Sequence, residues 1–130
     1  MVAVETLHHV SVSVTDLERA KRFYGDVLGL NEIPRPPFDF PGAWYQLGDR
    51  QLHLIVHTTP RSLRGTTDVD SRDGHFAVRV RDYEATLEHL REHGVPLLDS
   101  PVNPTPWAQI YVTDPDGNVI ELNVERADLA

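Results

Sequence analysis

Residues 7–16 read LHHVSVSVTD and residues 73–82 read DGHFAVRVRD, two stretches that share one pattern. In each stretch a His opens a run in which apolar and polar side chains alternate, and an Asp closes the run. Alternation with a period of two is typical of a strand that has one buried face. The two stretches therefore predict equivalent strands, with His9 and His75 at equivalent positions opposite the apolar faces.

A helix is predicted after each of these strands. Asp16 and Asp82 are suitable N-cap residues, and apolar side chains recur behind them at helical spacing. Gly29 and Gly94 follow at positions where helices often end. Each half of the chain therefore begins with a strand and a helix.

Three further strands are predicted behind each helix. Short strands are expected near residues 30–33 and 96–99, and longer ones at 43–47, 52–57, 107–113 and 118–124. The turns between the longer strands contain Gly, Pro and Asp, which hairpin connections favour. Each half therefore has the order βαβββ.

The spacing of landmarks supports an internal duplication. Three pairs lie at nearly constant separations, which are 66 residues for His9 and His75, 65 for Ala43 and Ala108, and 68 for His53 and Glu121. Such a repeat indicates one architecture built twice. We predict an α+β fold in a single domain, residues 1–130, with two βαβββ modules whose curved sheets surround a central cavity. The modules are expected at 7–57 and 73–125, with a linker at 58–72.

Composition excludes several classes of function. The 130 residues carry a formal charge of −8, which argues against binding to nucleic acid or to an anionic membrane surface. The chain has no cysteine, so disulfides, thiolate metal sites and thiol nucleophiles are excluded. No apolar run approaches the roughly 18 residues of a membrane span. The N-terminus also lacks the pattern of a signal peptide. We therefore expect a cytoplasmic protein.

Strand parity brings four possible metal ligands to equivalent inward positions. His53 and Glu121 lie opposite the apolar faces of the last strand of each half, as His9 and His75 do on the first strands. A buried carboxylate needs a cation or hydrogen bonds. Imidazole and carboxylate donors suit Zn, Ni, Co, Fe or Mn. The pattern predicts that His9, His53, His75 and Glu121 bind a divalent metal ion. Ordinary polar strand residues are the alternative, and His53 has the further alternative of contacting the substrate.

Two other residues are candidates for substrate binding. Tyr111 lies on the face of its strand that Ala108, Ile110 and Val112 do not occupy, so we expect it to face the cavity. Arg79 shares the face of the second repeated His. It is predicted to hold an anionic group of the substrate, or alternatively to pair with an acidic neighbour.

The sequence also resembles a known family. The segment HHVSVSVTDLERAKRFYGDVLGL, residues 8–30, is similar to the opening of the vicinal oxygen chelate superfamily, and DPDGNVIELNV, residues 114–124, is similar to its last hairpin and strand. That superfamily includes glyoxalase I, extradiol dioxygenases, methylmalonyl-CoA epimerase, fosfomycin-modifying enzymes and bleomycin-binding proteins. The resemblance implies paired βαβββ modules, a metal ion between curved sheets, and a homodimer whose sites lie at the chain interface.

In the superfamily the metal ligands come from the first and last strands of each module. The matching positions here are His9, His53, His75 and Glu121. Prokaryotic glyoxalase I typically has Glu in the second of these positions and the epimerase has Gln, so His53 departs from both patterns.

Three functions are compatible with the residues and the resemblance. The first is a metal-dependent lyase or isomerase of the glyoxalase type acting on a small oxygen-chelating molecule. In that function the metal ion polarises a carbonyl and Glu121 transfers a proton. The second is an Fe(II) extradiol-type dioxygenase that uses His9, His75 and Glu121. The third is a non-enzymatic protein that sequesters a small molecule or drug, as bleomycin resistance proteins do. Because four ligand-type residues are retained, we favour the first.

Overall fold

In the computed structural model, which describes residues 1–129, each half of the chain is built on a four-stranded sheet. The chain divides into two compact units, Met1–Ser62 and Leu63–Ala130. The predicted α+β fold with two βαβββ modules is confirmed. The predicted module and linker boundaries stay predictions. No helix among the described residues is long and apolar enough to cross a bilayer.

The first unit, Met1–Ser62, holds one α-helix that continues into a π-helical turn, and four strands. These elements are β1 (His9–Val14), α1 (Leu17–Lys21), the π-helical turn (Arg22–Val27), β2 (Glu32–Ile33), β3 (Gly42–Leu47) and β4 (Arg50–Val56). The strand order is β1-β4-β3-β2, in which β1 and β4 are parallel and the other pairs are antiparallel.

The second unit, Leu63–Ala130, repeats this arrangement. Its elements are β5 (His75–Arg79), α2 (Tyr83–Glu92), β6 (Leu97–Ser100), β7 (Trp107–Thr113), β8 (Val119–Glu125) and a 3-10 turn (Arg126–Asp128). The strand order is β5-β8-β7-β6, again with a parallel pair at β5 and β8. The same topology in both units agrees with the duplication that the sequence indicates.

Both predicted N-caps form. Asp16 accepts a hydrogen bond from the Arg19 amide at 3.0 Å, and Asp82 accepts one from the Ala85 amide at 2.9 Å. Each bond satisfies an amide that a helix leaves without an internal partner at its first turn.

The first helix departs from the predicted α-helical spacing. After Lys21 it widens, and the Leu28 amide donates to the carbonyl of Phe23, five residues earlier, at 2.9 Å. This is the hydrogen-bond pattern of a π-helix. Phe23 and Tyr24, at the start of this turn, are both buried.

The apolar faces that strand parity predicted form the core of each unit. The side chains with 2% or less of their surface exposed include Val14, Tyr24, Tyr45, Leu52 and Leu54 in the first unit, and Leu90, Ala108, Ile110, Val112 and Ile120 in the second. With these residues packed inward, the other face of each sheet carries the candidate ligands.

The segment that precedes β5 is held against the β7–β8 hairpin. Arg64 donates to the Asp73 carboxylate at 2.6 Å, to the Gly117 carbonyl at 2.9 Å and to the Asp68 carbonyl at 2.8 Å. Gly117 has a φ of 87°, and a Cβ atom there would lie 1.9 Å from the Thr66 carbonyl oxygen. The start of the second unit is therefore packed closely on its hairpin turn.

Sheet register shows that the two predicted ligands on the last strands are equivalent. Ser11 pairs with His53 in the first unit, and Ala77 pairs with Glu121 in the second. Ser11 and Ala77 each lie two residues after the repeated His. His53 and Glu121 therefore occupy the same place in their sheets.

One of the three landmark pairs, Ala43 and Ala108, was matched two residues away from its true equivalent. Trp44 pairs with His53, and Tyr111 pairs with Glu121. Because His53 and Glu121 are equivalent, Trp44 corresponds to Tyr111. Ala43 consequently corresponds to Ile110 and not to Ala108. Because side chains alternate with a period of two, the error left every residue on its predicted face.

Candidate functional site

The structure places the four predicted metal ligands in two pairs, one in each unit. In the first unit the rings of His9 and His53 stack with centroids 4.1 Å apart. In the second unit His75 Nε2 lies 3.5 Å from Glu121 Oε1. Among residues 1–129 no group of three or more His, Asp or Glu side chains is arranged to hold a metal ion. Each unit by itself therefore supplies two of the four predicted donors.

His53 is held between two aromatic neighbours. Its ring stacks on the Trp44 indole, with centroids 4.0 Å apart and planes 3° from parallel, and on the ring of His9. His53 Nε2 lies 2.9 Å from Gln51 Oε1 and is the donor, because an amide oxygen can only accept. In that tautomer Nδ1 is the nitrogen with a free lone pair.

The surroundings of His53 favour its neutral form. Burial lowers its pKa first, and the nearby His9 lowers it further. Only the neutral imidazole can bind a metal ion, since the charged form has no lone pair left. The side chain is 7% exposed, so water competes little for this position.

His8 contacts His9, although strand alternation would place the two side chains on opposite faces. Their Nδ1 atoms lie 2.8 Å apart, so one ring donates a hydrogen bond and the other accepts it. The contact is possible because β1 begins at His9, and the residue before a strand does not follow its alternation. This contact engages Nδ1 of His9 and leaves Nε2 as its remaining ligand atom.

The Glu121 carboxylate is 5% exposed and accepts hydrogen bonds from two side chains. Gln109 donates to Oε1 at 3.2 Å and Asn123 donates to Oε2 at 2.6 Å. These bonds offset much of the cost of burying a charged group.

The His75 ring is oriented so that Nε2 faces the Glu121 carboxylate. Its Nδ1 lies 2.8 Å from the carbonyl oxygen of Asp73, so Nδ1 carries the proton. In the neutral ring Nε2 then presents its lone pair to Oε1 of Glu121, 3.5 Å away. Two acceptors at this distance repel each other unless a proton or a metal cation is shared between them.

Tyr111 lies beside both members of this pair. Its ring meets the His75 ring edge-on, with centroids 5.4 Å apart. Burial, followed by the interaction with the nearby Glu121 carboxylate, raises the pKa of Tyr111 to about 12. The phenol is therefore a protonated donor at neutral pH. Its predicted contact with substrate stays a prediction.

Arg79 has two partners within the second unit. Its Nε donates to Asn123 Oδ1 at 2.6 Å, and its Nη1 lies 3.1 Å from Glu125 Oε1. An acidic partner is thus present, which was one of the two sequence interpretations. The side chain is 51% exposed, and the predicted contact with an anionic substrate group stays a prediction.

Comparison with known proteins identifies the family. The sequence model of the Glyoxalase/Bleomycin resistance protein/Dioxygenase superfamily matches residues 6–122. The chain belongs to this superfamily. The resemblance to vicinal oxygen chelate proteins is therefore confirmed over nearly the whole chain.

Individual relatives are similar over almost their full length. A probable lactoylglutathione lyase of Synechocystis sp. is 28% identical over 89% of this chain and 92% of its own. A Bacillus anthracis protein described as a member of the glyoxalase family has a TM-score of 0.80, with 26% identity over 96% of this chain and 98% of its own. TnmS3, an antibiotic binding protein from Streptomyces sp. CB03234, has a TM-score of 0.71, with 28% identity over 96% and 99%.

The donor set of this superfamily member fits a divalent metal ion chemically. Three imidazoles and one carboxylate are ligands that Zn and its neighbours in the first transition row accept. Two donors of one tetrahedral zinc ion are about 3.4 Å apart. The observed separation of 3.5 Å between His75 and Glu121 is close to that value.

The sequence did not predict that four further side chains contact the predicted ligand pairs. These are Trp44 and Gln51, which contact His53, and Gln109 and Asn123, which contact Glu121. Parity alone places Asn123 on the face of Glu121 and Gln109 on the face of Tyr111. The contacts themselves depend on the register between strands, which parity does not determine.

Proposed function

We propose that this chain is a divalent-metal-dependent lyase or isomerase of the glyoxalase type, with His9, His53, His75 and Glu121 as metal ligands. The observation that carries the proposal is that His75 Nε2 and Glu121 Oε1 face each other at 3.5 Å, the spacing expected for two donors of one metal ion. A bound cation would join the two atoms. The equivalent place in the other sheet holds His53, a buried imidazole that favours its neutral, ligating form.

The reaction would act on a small molecule with two neighbouring oxygens. A divalent ion, when bound, polarises a substrate carbonyl and makes the adjacent C–H more acidic. Glu121 would loosen from the metal ion, accept the proton and return it to the neighbouring carbon. Its Oε1 suits both binding and release, because Oε1 has the longer hydrogen bond, 3.2 Å from Gln109, whereas Oε2 is held at 2.6 Å by Asn123.

The relative named as a probable lactoylglutathione lyase supports this class of reaction, since it matches the chain over nearly its whole length. The departure at His53 distinguishes this chain from the glyoxalase I pattern that the resemblance implies. We therefore propose the class of reaction and do not assign glutathione as part of the substrate.

Metal binding is tested with the purified protein and the His75→Ala variant. We expect close to one equivalent of a transition metal in the wild type by elemental analysis, and at least a tenfold lower affinity in His75→Ala. His89→Ala is the matched control, because His89 lies exposed on α2 outside both ligand pairs. A wild-type protein that stays metal-free after incubation with Zn, Ni, Co, Mn and Fe(II) would contradict the proposal.

Proton transfer is tested by running the reaction in deuterium oxide with the hemithioacetal of methylglyoxal and glutathione. We expect deuterium in the product, and a loss of roughly 10²–10⁴-fold in rate for Glu121→Gln, the usual contribution of a general base. Product with no deuterium and an undiminished rate in Glu121→Gln would exclude this role for Glu121.

A second candidate function is sequestration of a drug-like molecule. Phe38 and Phe40 are 46% and 37% exposed and stack on each other with centroids 5.1 Å apart, and Phe38 lies 6.2 Å from Trp44. The likeness to the antibiotic-binding TnmS3 supports this candidate. It predicts that the tryptophan fluorescence of the metal-free protein is quenched when bleomycin binds.

The dioxygenase alternative predicts oxygen uptake with catechol after Fe(II) loading.

A further inference from the structure

We propose that Asn123, held by Arg79, is a positioning residue that orients the Glu121 carboxylate so that Oε1 is the oxygen offered to the metal ion. The inference rests on the proposed function and extends it to a residue that touches neither the metal nor the substrate. It concerns the second unit alone.

The orientation of the Asn123 amide follows from its two partners. Its Oδ1 accepts from Arg79 Nε at 2.6 Å, and its Nδ2 donates to Glu121 Oε2 at 2.6 Å. A guanidinium can only donate and a carboxylate can only accept. Turning the amide over would oppose donor to donor and acceptor to acceptor. Arg79 therefore determines which end of the amide faces Glu121.

The bond from Asn123 distinguishes the two carboxylate oxygens. Oε2 is occupied by a short bond to an amide that is itself fixed, whereas Oε1 accepts from Gln109 at 3.2 Å and faces His75 Nε2 at 3.5 Å. Because Asn123 is 7% exposed, water does not readily replace it. Oε1 is consequently the oxygen available beside the imidazole.

The first unit provides an internal comparison. The positions equivalent to Arg79 and Asn123 are Ser13 and Ile55, which pair in the same register. The equivalent of Glu121 there is His53, an imidazole that needs no partner to choose between two oxygens. Both units form the same sheet topology, but only the unit with the carboxylate has the Arg–Asn pair. The topology therefore does not require this pair.

The inference is tested by titrating the full-length metal-free protein with Co(II), without substrate, and recording its visible absorption spectrum. We expect Asn123→Leu and Arg79→Ser to weaken Co(II) binding by about 10–100-fold, the usual effect of removing a partner of a metal ligand. The absorption bands should shift as well. Without substrate, any contact between Arg79 and an anionic group does not enter the result.

Glu125→Gln is the matched control, because Glu125 is the outer partner of Arg79 and does not contact Glu121. We expect its Co(II) affinity to stay within about twofold of the wild type. Thermal unfolding of each metal-free variant separates folding from positioning. If Asn123→Leu does not fold, Arg79→Ser decides, since its side chain is half exposed.

Wild-type affinity and an unshifted spectrum in the folded variants would overturn the inference and leave the proposed function intact. Lower thermal stability with unchanged Co(II) binding would likewise overturn it, because Asn123 would then serve only the fold. A wild-type protein that binds no Co(II) would overturn both the inference and the proposed function.

Discussion

At His75 the Asp73 carbonyl sets which ring nitrogen carries the proton. The Asp73 carbonyl accepts a hydrogen bond from Nδ1–H, so Nε2 is the nitrogen that faces the Glu121 carboxylate. Nε2 of His75 and Oε1 of Glu121 therefore face each other at 3.5 Å, where a shared proton or a metal cation joins them. Metal-binding His residues commonly use their second nitrogen in this way, to donate to a carbonyl or a carboxylate.

Tyr45 provides a residue-scale prediction for alkaline pH. Its phenol is buried, and burial, followed by the charges of Glu32, Asp26 and Glu18, raises the pKa of Tyr45 to about 12. Above pH 10 the unfolded chain loses this proton while the folded chain keeps it. The stabilisation is therefore complete below about pH 10 and is lost as pH rises towards about 12.

The measurement is the free energy of unfolding in urea between pH 9 and about 11.5 for the wild type and Tyr45→Phe. We expect the wild type to lose stability more steeply with rising pH than the variant, which has no proton to lose at this position. Equal slopes for the two proteins would show that Tyr45 ionises as readily in the folded chain as in the unfolded one.

At the scale of elements, each sheet carries the same row of three side chains across neighbouring strands. The row is His9, His53 and Trp44 on β1, β4 and β3, and His75, Glu121 and Tyr111 on β5, β8 and β7. In each row an aromatic residue lies beside the predicted ligand of the last strand. The duplication has thus kept the layout and changed the chemistry, from stacking in the first unit to hydrogen bonding in the second.

The β7–β8 hairpin offers a prediction at this scale. Gly117→Ala should destabilise the protein by more than the roughly 1–2 kcal/mol of a left-handed residue, because the new Cβ would also meet the Thr66 carbonyl at 1.9 Å. Gly94→Ala is the matched control. Its φ is also positive, at 64°, but nothing lies within 4 Å of the added Cβ.

Denaturant unfolding of the two variants checks this prediction. We expect the loss in free energy of unfolding to be clearly larger for Gly117→Ala than for Gly94→Ala. Equal losses would mean that residues 63–68 do not press on the hairpin turn in solution.

At the scale of the whole molecule, the number of donors per unit sets a condition on the proposed metal site. Each unit supplies two donors, and protein sites for zinc use three or four. One unit by itself therefore lacks a full set of ligands for the proposed site. The resemblance to the superfamily predicts that a second chain completes it, in a homodimer.

Light scattering coupled to size-exclusion chromatography tests the predicted homodimer. We expect a mass of twice the 14.7 kDa of one chain for the metal-loaded protein. A monomer that still binds one metal ion per chain would contradict the shared site and leave the ligand assignment standing.

Metal removal gives a further prediction at this scale. Metal at 100 times its dissociation constant should stabilise the folded protein by about 2.7 kcal/mol. The melting temperature should therefore fall when a chelator is added to loaded protein and recover when metal is returned. An unchanged melting temperature would contradict binding to the folded state.

The sequence by itself determined the order βαβββ in each half, the N-caps at Asp16 and Asp82, and the faces on which the four candidate ligands lie. These features depend on local periodicity and capping, which neighbouring residues set. The tertiary structure decided which side chains meet: the π-helical turn after Lys21, the stacking of His53 on Trp44 and the contacts of Asn123 with Arg79 and Glu121. Contacts between strands depend on a register set by packing of residues far apart in the chain, and local periodicity carries no information about that register.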